Sequence, residues 1–323
     1  MANGESPGIE SLAGGVSSDI WIVRPASGPP FCVKRALPQL RVAAEWKADP
    51  VRNHIEVAWL KQVAALNPHV VPAVLATDAG TASFAMEYLP AGEFEPWKAK
   101  LARGVVDVQT AAAVGGLLAF VQAAFARSAT ARVTFDTGRA FYALRLEPYL
   151  IATARAHPDL APLLATLAEN TAHTRLTVAH GDVSPKNILV GPRGPVFLDA
   201  ECAWFGDPAF DVAFCLNHLL LKTVWKPAAA PALLDAFDAL RTAYCGGVDW
   251  EPAEEVDHRS ARLLPALLLA RIDGKSPVEY IVDDRRKDLV RAIAREMLRT
   301  QPTRLSDLRD VWVDRYAKSE ALQ

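Results

Sequence analysis

Hydrophobic positions in the first ninety residues recur with a short period. The apolar runs Ile20–Val23, Phe31–Lys34, Val70–Leu75 and Ala82–Tyr88 are separated by turn formers such as Ser27-Gly28-Pro29-Pro30, which predicts strands. One stretch breaks this rhythm. From Pro50, residues Val51, Ile55, Trp59, Val63 and Leu66 share one helical face, and Asn67-Pro68 closes the helix. Residues 1 to 10, polar with Gly and Pro, read as a loose tail. Beyond Pro90 the period lengthens. Asp107 caps a helix carrying Val114, Leu117, Leu118, Val121 and Phe125. Further helices are expected at Ala140–Ala154, Pro158–Leu167, Pro208–Lys222, Pro231–Tyr244, Val256–Arg271, Asp284–Thr300 and Ser306–Ala317. Within this helical part, Ile188-Leu189-Val190 and Val196-Phe197-Leu198 flank the turn Gly191 to Gly194 and predict a β-hairpin. The pattern describes an α+β, bilobal chain. Residues 1–90 form a small antiparallel β-sheet lobe with one main helix and a hinge, and residues 91–323 a larger, mostly helical lobe carrying the hairpin.

Composition narrows the class. With 51% hydrophobic and 22% charged residues, the 323-residue chain can bury a substantial core. A net charge of −2 leaves no footprint for nucleic acid or an anionic membrane. Cys32, Cys202, Cys215 and Cys245 show no CxxC spacing and fit free thiols in a reducing cytosol. The N-terminus has no basic and apolar leader pattern, so a cytoplasmic location is expected. The most apolar stretches, Ala111–Ala126 and Leu263–Ile272, fall short of the roughly 20 residues of a membrane span and read as buried helices.

The candidate chemistry gathers at the ends of the hairpin. Asp182 and Asn187 before it approach Asp199 and Glu201 after it, an oxygen-rich set suited to a hard cation such as Mg²⁺. Upstream, Gly14 and Gly15, followed by Ser17, allow a backbone to approach phosphate oxygens closely. Lys34 ends a strand, and Glu56 on the helix is its candidate partner; such a pair holds an amine on the phosphates of a nucleotide. Backbone groups of Glu87 and Leu89, at the hinge, would bond an adenine edge. Each feature alone has a plainer alternative: a polar hairpin, a Gly-Gly turn, a solvated edge lysine, or a solvated Glu56 with Arg52 four residues before it.

Together the motifs carry a resemblance. His180-Gly181-Asp182…Asn187, Asp199-Ala200-Glu201 and Gly206-Asp207-Pro208-Ala209-Phe210-Asp211, preceded in order by Gly14-Gly15, Lys34, Glu56 and Met86-Glu87-Tyr88, resemble the aminoglycoside phosphotransferase and choline kinase superfamily. That superfamily has a protein-kinase-like fold. Lys34-Arg35-Ala36-Leu37-Pro38, Arg41-Val42, Trp46 and Glu201-Cys202-Ala203-Trp204-Phe205-Gly206 look most like its methylthioribose kinase branch. The resemblance implies that Asp182 is the catalytic base and that Asn187 and Asp199 hold Mg²⁺. Glu201 would be a second metal ligand or a substrate contact, and Asp211 would brace the catalytic loop. His180 would pack within that loop.

The acceptor is expected to be a small hydroxyl compound. Gly181 stands where protein kinases carry an arginine, and only twelve positions separate Asp199 from Asp211, too few for a peptide platform. Trp204, Arg145, Tyr149, Arg271 and Asp273 are candidate lining residues; Trp204 is a candidate ring face for a cationic substrate, with core packing the plainer role for any of these aromatics. The expectation is therefore transfer of the γ-phosphate of ATP, with GTP as the alternative donor, to a sugar-like or amino-alcohol metabolite by a monomer or homodimer. Aminoglycoside modification is the alternative within the class, although the helical part has no marked acidic run. A nucleotide-binding module without catalysis is the alternative from another class. The intact set Lys34, Glu56, Asp182, Asn187 and Asp199 argues against it.

Overall fold

A computed structural model describes residues 8–12, 17–41, 46, 49, 50 and 52–320. The expected Gly14-Gly15 turn and Val51 lie outside the described residues. Strands β1 (Gly8–Leu12), β2 (Ser18–Arg24) and β3 (Phe31–Ala36) precede helix α1 (Arg52–Leu66), and β4 (Val74–Asp78) and β5 (Ser83–Glu87) follow it. They form one antiparallel sheet in the order β1-β2-β3-β5-β4. Strand β1 corrects the reading of residues 8–10 as tail. All five of its residues are exposed, so it has no burial pattern to read and is held at the edge by its ladder to β2, from Gly8↔Arg24 to Leu12↔Ile20.

The inner face of α1 is not the apolar stripe alone. Trp59 and Val63 are buried as expected, but Leu66 is 40% exposed. The buried face instead takes in Arg52, Asn53 and Glu56 alongside Val57 and Leu60. Polar side chains can be buried this way because they have partners there, described below.

After β5 the chain forms β6 (Glu95–Pro96) and α2 (Trp97–Ala102), then α3 (Val108–Ala126), α4 (Ala129–Thr134) and α5 (Gly138–Phe141). Asp107 caps α3 as expected, accepting from the Gln109 N–H. By length and composition α3 could cross a membrane. Here its Val114, Leu118, Val121 and Phe125 are core residues, and its backbone meets that of the later helix Ala230–Gly246 closely. A Cβ on Gly115 would lie 2.2 Å from the Leu240 carbonyl oxygen. The chain runs on through a π-helical segment, Tyr142–Ile151, into α6 (Ala152–Ala156) and α7 (Ala161–His173).

The π widening has a local cause. Pro148 has no N–H for the Leu144 carbonyl four residues earlier, and its ring crowds that carbonyl. The Arg145 guanidinium takes the freed oxygen instead, with Nη1 at 2.7 Å.

Strands β7 (Thr177–Ala179), β8 (Ile188–Gly191), β9 (Gly194–Phe197) and β10 (Trp204–Gly206) come next. The expected hairpin is β8–β9, paired from Ile188↔Phe197 to Gly191↔Gly194, and β6 adds a third strand to it. Strands β7 and β10 pair across the base of the same stretch, clamping residues 180–203 between them. Helices α8 (Ala209–Trp225), α9 (Ala230–Gly246), α10 (Ala253–Asp273), α11 (Asp284–Thr300) and α12 (Leu305–Glu320) complete the helical part. Leu263–Ala270 is buried on every side, so α10 is central as its sequence implies. The antiparallel sheet followed by the helical part is the protein-kinase-like arrangement expected above.

Candidate active site

Strand β3 carries Lys34 into the space between sheet and helices. Its Nζ lies 2.6 and 2.8 Å from the two Glu56 oxygens and 2.5 Å from Asp199 Oδ1, so α1 and the segment after β9 meet on one ammonium. Burial opposes the Lys34 charge, but Asp199 and Glu56 outweigh it and hold its pKa above the ordinary lysine range. Burial raises the Glu56 pKa, with Lys34 opposing. Burial acts to raise Asp199 too, but Lys34 and Lys186 hold that carboxyl well below the usual range. Asp199 also has φ +67°, a left-handed backbone unusual for a residue with a side chain and frequent where a functional group is aimed.

Arg52 forms a second strap from α1. Its Nε lies 2.9 Å from Glu201 Oε2, and its Nη2 donates to the Ser17 and Leu37 carbonyls at 2.6 and 2.7 Å. A third contact is aromatic. Trp59 meets the His180 ring edge-on at 4.9 Å and packs near Phe197.

The loop from His180 to Asn187 is held at both ends. Asp211, at the start of α8, accepts from the His180 N–H at 2.7 Å, the Gly181 N–H at 2.8 Å and Gln122 at 3.0 Å. Burial pushes Asp211 up to about 7 against those three donors. Gly181 has φ +79°, and a Cβ there would come within 2.6 Å of the Cys202 carbonyl oxygen. Only glycine fits that turn without strain.

His180 donates from Nε2 to the Leu198 carbonyl at 3.1 Å and accepts the Asp182 N–H on Nδ1 at 3.2 Å, the pattern of a neutral ring. Burial pushes its pKa down to about 4, consistent with that tautomer. Asn187 donates to the Asp182 carbonyl at 3.1 Å, which leaves its side-chain oxygen as the one to offer elsewhere. The Asp182 carboxylate is 2.9 Å from Arg145 Nη2 and 3.3 Å from Lys186 Nζ. It forms part of the wall of a cavity of about 480 Å³.

The sequence model of the phosphotransferase enzyme family matches residues 8–256, well over half the chain. The chain belongs to that family. The phosphotransferase has no match among curated protein sequences. Among solved structures it is similar to the amicoumacin kinase in complex with AMP-PNP, Ca²⁺ and Ami. They share 12% identity over 92% of this chain and 90% of the other, with a TM-score of 0.54. An ethanolamine kinase from Plasmodium vivax shares 12% identity over 99% and 83% of the two chains, with a TM-score of 0.52. A choline/ethanolamine kinase family protein from Mesorhizobium loti shares 15% identity over 98% and 87%, with a TM-score of 0.46. At these identities the likeness is one of fold.

The site expected from the sequence is assembled only in part. Lys34, Glu56, Asp182, Asn187 and Asp199 converge. Among the described residues, no three His, Cys, Asp or Glu side chains are grouped to hold a metal. Each of the three carboxylates faces a cation: Asp182 has Arg145, Asp199 has Lys34 and Glu201 has Arg52. Glu201, 5% exposed and engaged by Arg52, is an anchor between sheet and helices rather than an open ligand. The Ser17 carbonyl accepts from Arg52 and from the Leu37 N–H. The Glu87 N–H is donated to the Ala73 carbonyl at 2.8 Å, and Leu89 is half-buried beyond the end of β5.

The expected acceptor wall needs more revision. Tyr149 and Arg271 line the cavity, but Trp204 does not; it is buried and stacked on Phe141 with centroids 3.4 Å apart, so its faces are closed to a cationic substrate. Asp273 is taken up by Arg291 at 2.7 Å and His157 at 2.8 Å. Arg145 reaches Asp182 and the Gly181 carbonyl and so positions the loop. Sequence reasoning missed Lys186, His218 and Lys222, all in the cavity wall. Lys186 was signalled by its place between Asp182 and Asn187. The other two follow Phe214 at four-residue intervals along α8, a signal the apolar surroundings concealed.

Proposed function

We propose that the enzyme transfers the γ-phosphate of ATP to a hydroxyl of a small, sugar-like metabolite, with Asp182 as the base. The observation that carries this reading is the position of the Asp182 carboxylate. It opens on an acceptor-sized cavity, while the backbone of its loop is fixed to Asp211 and Asn187 and runs back to the Lys34–Asp199 pair. The amicoumacin kinase, which shares the fold, is in complex with AMP-PNP, which supports a nucleoside triphosphate as the donor.

In this reading Lys34, steadied by Glu56, holds the phosphates from the sheet side. Asp182 orients the acceptor hydroxyl and takes its proton as the new O–P bond forms, the bond from the γ-phosphorus to its bridging oxygen breaks, and ADP leaves. The residues fit a divalent cation at two positions: the free Asn187 side-chain oxygen and Asp199, once Lys34 shares it with the incoming group. Mg²⁺ bound there supplies neutralisation of phosphate charge. Arg145 keeps the base aligned, since positioning carries much of the rate in phosphoryl transfer.

A polycationic acceptor such as an aminoglycoside is not favoured, because basic side chains dominate the cavity wall. Neither is an amino alcohol, since the ring expected to receive its cation is closed. Asp182→Asn is expected to lower turnover by about 10²–10⁴-fold while leaving AMP-PNP affinity within about threefold. An Asp182→Asn enzyme with near-normal acceptor-dependent ADP release would refute the assignment.

A further inference from the structure

Phosphoryl transfer does not account for the charge in the acceptor cavity. Lys98, Lys186, Lys222, Arg271 and Lys275 line it, against Asp182 and Glu279. Three of these cations are already answered: Lys98 by Glu279 at 2.5 Å, Lys275 by Glu147 at 2.8 Å, and Lys186 by Asp182. Lys222 and Arg271 are not. Lys222 is 1% exposed, yet among the described residues its ammonium has no hydrogen bond and no carboxylate within ion-pair distance. Its neighbours are the ring faces of Tyr280 at 4.2 Å and Trp225 at 5.0 Å. Arg271 is 8% exposed and touches only neutral groups, the Tyr149 hydroxyl at 3.4 Å and Ser276, and its Nε has no partner. The Tyr280 hydroxyl, on the same wall, is buried and also unpartnered.

Two buried cations without a paired carboxylate, whose nearest acid Glu279 acts on them from a distance and is bound by Lys98, are costly to keep beside a buried hydroxyl with nothing to bond unless an anion comes to them. An acceptor with only hydroxyls would leave both charges unpaired, and an amine would add a third. We infer that Lys222, Arg271 and the Tyr280 hydroxyl receive an anionic group of the acceptor, a carboxylate or a phosphate monoester, so that the substrate is a hydroxy acid, sugar acid or sugar phosphate. This rests on the kinase reading above and narrows its acceptor.

The placement of the two ends fits such a molecule. Phe214, His218 and Lys222 follow one another on a single face of α8, and Asp211, at the start of that helix, holds the catalytic loop. From 211 to 222 is eleven residues, about 16 Å along the axis at a rise of ~1.5 Å per residue. The anion is thus read by α8 and α10 on the cavity that Asp182 also lines, so that charge selects the acceptor at a group other than the hydroxyl to be phosphorylated.

The test is calorimetry on the full-length protein saturated with Mg·AMP-PNP, which occupies the nucleotide side, titrated separately with inorganic phosphate, D-tartrate, glycerol, ethanolamine and kanamycin. Saturable binding of phosphate or tartrate, weakened at least about 30-fold by Lys222→Met and largely retained by Lys222→Arg, is the expected result. Preference for tartrate over phosphate assigns a carboxylate acceptor, and the reverse assigns a phosphate ester. Equal affinity of wild type and Lys222→Met for both anions, no saturable anion binding, or binding of ethanolamine or kanamycin instead would overturn the inference. Unchanged AMP-PNP affinity in Lys222→Met shows that the variant is folded. Failure of the wild type to bind Mg·AMP-PNP would strike the kinase reading itself, which separates the two.

Discussion

Replacing Lys34 by methionine tests the charge cluster most directly, because the side chain is 3% exposed and methionine fills a similar volume. The ammonium sits 2.6 Å from Glu56 and 2.5 Å from Asp199. At an effective dielectric of about 20, each contact is worth roughly 6 kcal/mol gross, most of which offsets the desolvation of the charges. Removing the lysine forfeits the attraction but leaves two carboxylates in the cleft. The expected loss at pH 8 is about 3–5 kcal/mol, toward the lower figure because Asp199 retains some access to water.

The loss should depend on pH with a definite sign. Burial already raises Glu56, and without Lys34 its folded pKa rises further above the unfolded value. A group raised in this way contributes stability that is full below the unfolded pKa and disappears as pH rises through the folded one. The gap between variant and wild type should therefore narrow from pH 8 to 5.5, by up to about 1.4 kcal/mol per unit inside that window. Urea unfolding of both proteins at the two pH values gives the gap, and contributions common to both cancel. Adding Glu56→Gln to the variant should recover part of the loss. A gap below about 1 kcal/mol at pH 8, or one that does not change with pH, would refute the reasoning.

Two further outcomes follow from the catalytic loop. Gly181→Ala places a Cβ 2.6 Å from the Cys202 carbonyl oxygen at φ +79°; a cost of about 2–4 kcal/mol, with turnover falling more than nucleotide affinity, is expected from urea unfolding and initial rates, and unchanged kinetics would contradict the loop geometry. His180, pushed down to about 4 from an ordinary 6.5, has a depressed folded pKa, so its contribution is full above pH 6.5 and is lost as pH falls toward 4. That amounts to about 2 kcal/mol between pH 7.5 and 5, and His180→Gln should flatten the wild-type stability profile by that amount; an unaltered slope would count against a neutral buried ring.

The sequence was most legible where chemistry constrains residue type and spacing together. Lys34, Glu56, Asp182, Asn187 and Asp199 could be placed because each has a distinctive side chain at a distinctive point in the order of elements. The hairpin was legible because its turn is marked by glycines at both ends. Strand β1 was not, since an edge strand exposed on both faces has no alternation. Strands β7 and β10 are three residues each, too short for any period to show. Arg52 and Lys222 were passed over for a common reason. Hydrophobic periodicity assigns a charged residue to solvent, whereas here one is buried against Glu201 and two backbone carbonyls, and the other beneath two aromatic rings. Trp204 was a candidate ring face with core packing as its plainer alternative, and it lies in the core.

Pro148 bears on how such an enzyme could change its substrate. A π turn holds one residue more than an α turn, so deleting Pro148 would let the Tyr142–Ile151 segment wind regularly, with Tyr149 in the place the proline held and α6 kept in phase. The acceptor wall would then change at Tyr149, while Lys34, Glu56 and Asp199 stayed where they are. Arg145 precedes the proline and need not move, although the Leu144 carbonyl would return to the helical ladder. A single-codon deletion in this segment is thus a compact route by which a lineage could exchange one acceptor for another without rebuilding the half of the enzyme that handles phosphate.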